Sequence, residues 1–160
     1  MNGDPLELWN GATFPSDLHI RVQKTDHKPI RDFVYDIGLM LFVSAKALEL
    51  ITNFNVAGVE SFRLTLVEKG GKTYEDFYWL NLKKSVSLLD REKSQYERSV
   101  NGRFRKVNYL LINRSFIPAE DLFVCEEISL PVFSGNLVSA IKKSKLFGAK
   151  FYPLQGSQWP

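Results

Sequence analysis

A stretch of the chain, residues 42–64, recurs ninety positions later as residues 132–154, and no other feature restricts the possible folds as much. Set against one another without a gap, Ser44 falls on Ser134, Ile51 on Ile141, Val56 on Leu146, Gly58 on Gly148 and Leu64 on Leu154. Each copy opens on a serine ahead of an apolar stripe at helical spacing. The stripe is Ala47, Leu48, Ile51 and Phe54 in the first copy, and Leu137, Val138 and Ile141 in the second. A serine there accepts a hydrogen bond from a free N–H of the first turn, so both are read as N-caps. Gly58 and Gly148 then let the chain leave a helix through the left-handed conformation and begin a strand. The expected strands are residues 59–67, with Phe62, Leu64 and Leu66 on one face, and residues 151–154. Each copy predicts a capped helix, a glycine turn and a strand. Capping and turn chemistry explain the repeated residues without any ligand, and two copies at so long a period do not make a solenoid.

The remaining elements are mostly strands. Lys69-Gly70-Gly71-Lys72 is the strongest turn signal, and two adjacent glycines suit a primed hairpin turn. It leads into an aromatic strand over residues 74–82. There, Tyr74, Asp76, Tyr78 and Leu80 alternate with Glu75, Phe77, Trp79 and Asn81. Residues 17–22, 86–89, 104–113 and 121–126 read as further strands, with Leu110, Leu111 and Ile112 buried on both faces. Residues 90–96 read as a polar loop, and Asn101-Gly102 marks a second hairpin. These elements predict an α+β fold: a mixed or mainly antiparallel sheet with two helices, built around two similar helix–Gly turn–strand units. The whole chain, residues 1–160, is expected to be a single domain.

Composition narrows the functional classes. A net charge of +3 is too mild to imply nucleic acid by itself. One cysteine, Cys125, excludes an internal disulfide. The opening residues lack the basic region and apolar core of a signal peptide, and the longest apolar run, residues 37–43, falls far short of a bilayer span. The expected location is the cytoplasm.

The search for chemistry is largely negative. His19 and His27 are the only histidines, and neither sits in a nucleophile motif. One cysteine and two scattered histidines fall short of a zinc ligand set, and no phosphate-binding glycine pattern occurs, so no metal or cofactor is expected. Asp90, Glu92 and Ser94 form the most notable polar cluster. Neighbouring carboxylates can share acid and base roles or bind a hard cation, but this run lacks the spacing of a calcium loop and suits a turn. Two basic groups stand out: Arg98, Arg103, Arg105, Lys106 and Arg114, and then Lys142, Lys143, Lys145 and Lys150, with no acid after Glu127. They leave a nucleic-acid-binding accessory domain as an alternative, against charge that simply keeps a surface solvated. The aromatic strand at Tyr78 could serve a protein interface or a core.

In order along the chain, LFVSAKALELI (41–51), VAGVESFRL (56–64), YWLNL (78–82), LLDREKSQY (88–96), LFVCEE (122–127) and FSGNLVSAIKKSKLFGAKFYPL (133–154) resemble one known family. It is a group of bacterial immunity proteins encoded beside polymorphic toxins, immunity family eleven, earlier a domain of unknown function. The Leu-Asp-x-Glu-x-Ser piece, residues 89–94, carries the likeness best. The resemblance spans about residues 36–154. It implies a non-enzymatic protein that binds and neutralises a cognate protein toxin in the producing cell, with no membrane partner. It does not carry over toxin-contacting residues. The candidates, Tyr78, Asp90, Glu92 and Tyr96, come from the aromatic strand and the polar loop.

Overall fold

The computed structural model describes residues 20–24, 29–35, 40–98, 104–109 and 111–154. Its largest element pair is the expected hairpin: β4 (Val59–Val67) antiparallel to β5 (Thr73–Leu82). The turn between them differs in type from the expectation. Glu68 N–H bonds to the Lys72 carbonyl at 2.8 Å, and Gly71 N–H bonds to the Glu68 carbonyl at 2.8 Å. Of the two glycines only Gly71 has positive φ, at 85°. A type I′ turn needs both in that region and a type II′ turn the first, so this is a three-residue loop closed by one left-handed glycine.

Around this hairpin lie β1 (Ile20–Gln23), β2 (Phe33–Tyr35) and β3 (Leu41–Ser44), in the order β1-β4-β5-β3-β2. Within this sheet only the β1–β4 pairing is parallel. A three-stranded sheet places β9 (Leu122–Cys125) between β10 (Leu130–Phe133) and the two-residue β6 (Ser85–Val86). A separate ribbon pairs β7 (Gln95–Arg98) with β8 (Phe104–Tyr109). Among the described residues the helices are α1 (Ala45–Thr52) and α2 (Gly135–Lys143), and Arg114–Phe116 form a 3-10 turn. The α+β class with a mixed, mainly antiparallel arrangement and two α-helices is as expected.

The five-stranded sheet is apolar on both faces. Leu41, Val43 and Leu80 meet Ala47 and Ile51 of α1 and Leu137 and Ile141 of α2 in one core cluster. Val34, Phe42, Phe62, Leu64, Leu66, Phe77 and Trp79 form another on the opposite face, where Phe62 and Trp79 lie 5.3 Å apart. Burying each such side chain contributes about 1.5–3 kcal/mol. A bulge changes the phase of β5. The register passes from Leu64 opposite Phe77 to Leu66 opposite Tyr74, which leaves Glu75 and Asp76 against Thr65 alone. Tyr74 therefore shares a face with Phe77, edge-on at 6.4 Å, and not with Tyr78 as strict alternation would have it.

Both serine caps form. Ser44 Oγ accepts from Ala47 N–H and Ser134 Oγ from Leu137 N–H, each at 3.2 Å. The repeat is larger than the helix, however, and begins at an aspartate. Ser44 Oγ donates to Asp32 Oδ1 at 2.9 Å, and Ser44 N–H bonds to the Asp32 carbonyl at 2.8 Å. Ser134 makes the same two bonds to Asp121. Each aspartate opens an antiparallel hairpin, β2–β3 or β9–β10, that delivers the capping serine. Its second oxygen reaches across to the other unit. Asp32 Oδ2 accepts from Phe147 N–H, beyond α2, at 2.9 Å, and Asp121 Oδ2 accepts from Asn55 N–H, beyond α1, at 3.1 Å. Two reciprocal clasps thus hold each helix at its start through its own unit and at its exit through the other.

The glycines do not end the helices. α1 stops at Thr52 with Asn53 as C-cap, where the Thr52 hydroxyl and the Asn53 amide both bond back to the Glu49 carbonyl. α2 closes in a Schellman turn: Lys145 at φ 55° donates to the Lys142 carbonyl, and Leu146 N–H to the Ile141 carbonyl. Gly58 (φ 80°) and Gly148 (φ 106°) lie further on, in the loops that leave the helices. The strand expected at residues 151–154 is absent: Phe151 packs on Phe133 at 5.3 Å, but this segment pairs with no strand. The repeated unit is thus hairpin–serine–helix, with a following strand only in the first copy. Leu111 and Ile112 are half-buried, and only Ile112 makes a bridge, to Leu89. His19, His27, Arg103, Leu110 and the Asn101-Gly102 turn lie outside the described residues.

Candidate functional site

The polar loop after Leu89 is built by its own side chains. Leu89 is buried in a third core cluster with Leu88, Phe123 and Cys125. Asp90 Oδ1 accepts from the N–H groups of Glu92 and Lys93, both at 3.2 Å, and its other oxygen lies 3.7 Å from the Lys93 ammonium. Asp90 N–H bonds to the Leu111 carbonyl at 2.8 Å. Ser94 Oγ accepts from Leu111 N–H at 2.9 Å and donates to the Leu111 carbonyl at 3.2 Å. Asp90 is therefore an aspartate turn and Ser94 a pin to the segment after β8. Glu92 is exposed. The loop is shorter than expected, because Tyr96 belongs to β7. Its half-buried ring lies against the third cluster, with the Arg98 guanidinium 5.6 Å from the ring centre.

Tyr78 is placed differently. It sits in the middle of β5, between Val43 and Arg63, half-buried against the helix-side core. The structure thus gathers Asp90, Glu92 and Tyr96 in one loop and strand and leaves Tyr78 in the other sheet.

The acidic residue with the densest contacts is one that the sequence did not single out. Glu127, only 4% exposed, accepts from Ser87 Oγ at 2.5 Å, from Leu88 N–H at 3.2 Å, from Leu89 N–H at 3.3 Å and from the Cys125 thiol at 3.0 Å. Burial pushes its pKa up, but the bonds from Ser87, Cys125 and the backbone outweigh that and hold the carboxyl below its ordinary value. Burial, followed by the Glu127 carboxylate, pushes the Cys125 thiol up to about 12. A protonated, buried thiol is a poor nucleophile. Among the described residues, no three His, Cys, Asp or Glu side chains are placed to hold a metal ion. Nor is any helix there long and apolar enough to cross a membrane.

Large apolar side chains at the surface are the other feature sequence reasoning passed over. Phe116, Ile117, Phe147 and Tyr152 are each at least half exposed, and Tyr109 is exposed too. Only their neighbours hinted at this, since Leu146 and Phe151, one position away, pack inward. Phe147 borders an open groove of about 390 Å³ with Ile30, Tyr74 and Phe77 on its apolar walls. Arg31 lies 5.9 Å from the Phe147 ring centre and the Lys72 ammonium 4.8 Å from that of Tyr74. Aromatic and arginine side chains exposed together are the usual material of protein interfaces.

Compared with known proteins, residues 4–156 match the model of an immunity protein family, Imm11. No curated protein matches the chain.

Proposed function

This chain belongs to the Imm11 immunity protein family, and from that we propose that it binds and neutralises a cognate protein toxin encoded nearby. It does so without catalysis, in the cytoplasm of the bacterium that makes both. The observation that carries this reading is the family match, which takes in nearly the whole chain, residues 4–156. The geometry supports it. Asp32, Asp90, Asp121 and Glu127 all have both carboxylate oxygens committed to backbone, hydroxyl, thiol or ammonium groups. Those acids organise the fold, while the exposed aromatics and the polar loop around Glu92 offer a surface to a partner. A net charge of +3 is opposite in sign to a nucleic-acid mimic, so the toxin is met through shape and local charge complementarity.

Co-expression with the product of the adjacent toxin gene tests the proposal. The expected result is restored growth and a stoichiometric complex that survives purification. Growth arrest undiminished by this protein, with no complex, would overturn it.

A further inference from the structure

We propose that the groove beside Phe147, with the basic segment that follows α2, is the surface that grips the toxin. Its occupant is an acidic segment of the toxin that inserts one apolar side chain. The inference rests on the neutralisation reading and adds to it a place and a chemistry.

The two reciprocal clasps allow the fold's needs to be separated from surplus. At each clasp the fold uses one backbone N–H beyond the helix. Beyond α1 that amide belongs to Asn55, whose side chain turns back to bond the Ala119 carbonyl at 3.1 Å and closes the site. Beyond α2 the same task falls to Phe147, whose ring is 56% exposed. The clasp does not need that ring. Two residues earlier stands Lys145, at φ 55° in the Schellman position that glycine fills with least strain. The turn does not need a lysine either. Two exposed residues that the local backbone does not require thus stand two positions apart, and the second, Phe147, lines an apolar groove.

Charge states the kind of partner. Lys142, Lys143, Lys145 and Lys150 are all exposed, and none forms an ion pair among the described residues. Arg31 and Lys72 flank the groove. Of the described acids nearby, Asp32 is held in its clasp and Glu68 accepts from the Tyr74 hydroxyl, while Glu75 and Asp76 in the adjacent bulge do not line the groove. Tyr152, 52% exposed, is a further aromatic at the surface, two residues after Lys150 in the chain. An apolar anchor in the groove, with carboxylates against this basic border, satisfies both features.

The test uses the full-length chain and the toxin domain encoded next to it, with Kd measured by calorimetry. Phe147→Ala and the pair Arg31→Glu with Lys150→Glu are each expected to weaken binding by ~30-fold or more, as loss of a central anchor does. Lys145→Gly keeps the Schellman turn, so it should weaken binding while leaving the thermal midpoint unchanged or higher. Glu126→Gln, at an exposed residue outside the groove lining, serves as a control. Wild-type affinity in the groove variants, with wild type still binding and rescuing growth, would overturn the surface and leave the function standing. If wild type itself neither binds nor rescues, both fall. Steeply salt-dependent binding of a single-stranded DNA probe, lost in the same variants while toxin affinity is unchanged, would assign the surface to nucleic acid and overturn the proposal as well.

Discussion

Glu127 holds residues 87–89 in place with a single carboxylate, and its titration should be readable in the stability of the whole protein. Its pKa is lowered in the fold, so its contribution is complete above the ordinary glutamate value of ~4.3 and is lost as pH falls through the folded value. Cys125 acts at the alkaline end. An unfolded thiol ionises near ~8.5, whereas this one is raised to about 12. Between those values only the unfolded state gives up the proton, so stability falls as pH rises, by up to ~1.4 kcal/mol per pH unit. Glu127→Gln should lower the unfolding free energy at neutral pH by about 1–3 kcal/mol and flatten the acid limb. Cys125→Ala should flatten the alkaline limb. Denaturant melts across pH would check both; a Gln variant with the wild-type acid limb would mean that other carboxylates control it.

Among the elements, the aligned glycines Gly58 and Gly148 are not equivalent. Both have positive φ, but a Cβ on Gly58 would meet nothing nearer than 3.7 Å, while one on Gly148 would lie 2.2 Å from the Phe33 carbonyl oxygen. Gly58→Ala should cost ~1–2 kcal/mol, the backbone term alone. Gly148→Ala must also push β2 off the clasp and should cost more than ~3 kcal/mol or prevent folding. Equal thermal midpoints for the two variants would refute the difference. The sequence displayed the capping serines, both helices and the β4–β5 hairpin, because each depends on local propensity and periodicity. It hid the clasps, because Asp32 precedes its serine by 12 residues and Asp121 by 13, so a gapless alignment separates them. It also misled at residues 151–154, where apolar residues pack without a neighbouring strand to pair with. In the candidate site, Asp90 and Glu92 were correctly placed in a turn. The exposure of Phe147 was invisible, since burial next to Leu146 is decided by tertiary packing.

For the molecule as a whole, the crossed clasps predict that the two hairpin–helix units melt together. Asp121→Asn removes a charged partner from the cap of α2 and from the exit of α1 alike. Native-state hydrogen exchange should therefore lose protection at amides of both helices, by the same free energy, about 1–3 kcal/mol. Loss confined to α2 would show that the units open independently. The clasps also set a schedule for synthesis. Asp32 waits through 115 further residues before its partner amide at Phe147 is made, so the nascent chain carries an unlatched first unit until that residue has been added. A ribosome that stalls before that point releases a chain with α1 capped but the latch between the units still open. On the neutralisation reading proposed above, protection would then be limited by how promptly synthesis reaches Phe147, and not only by how many chains are begun.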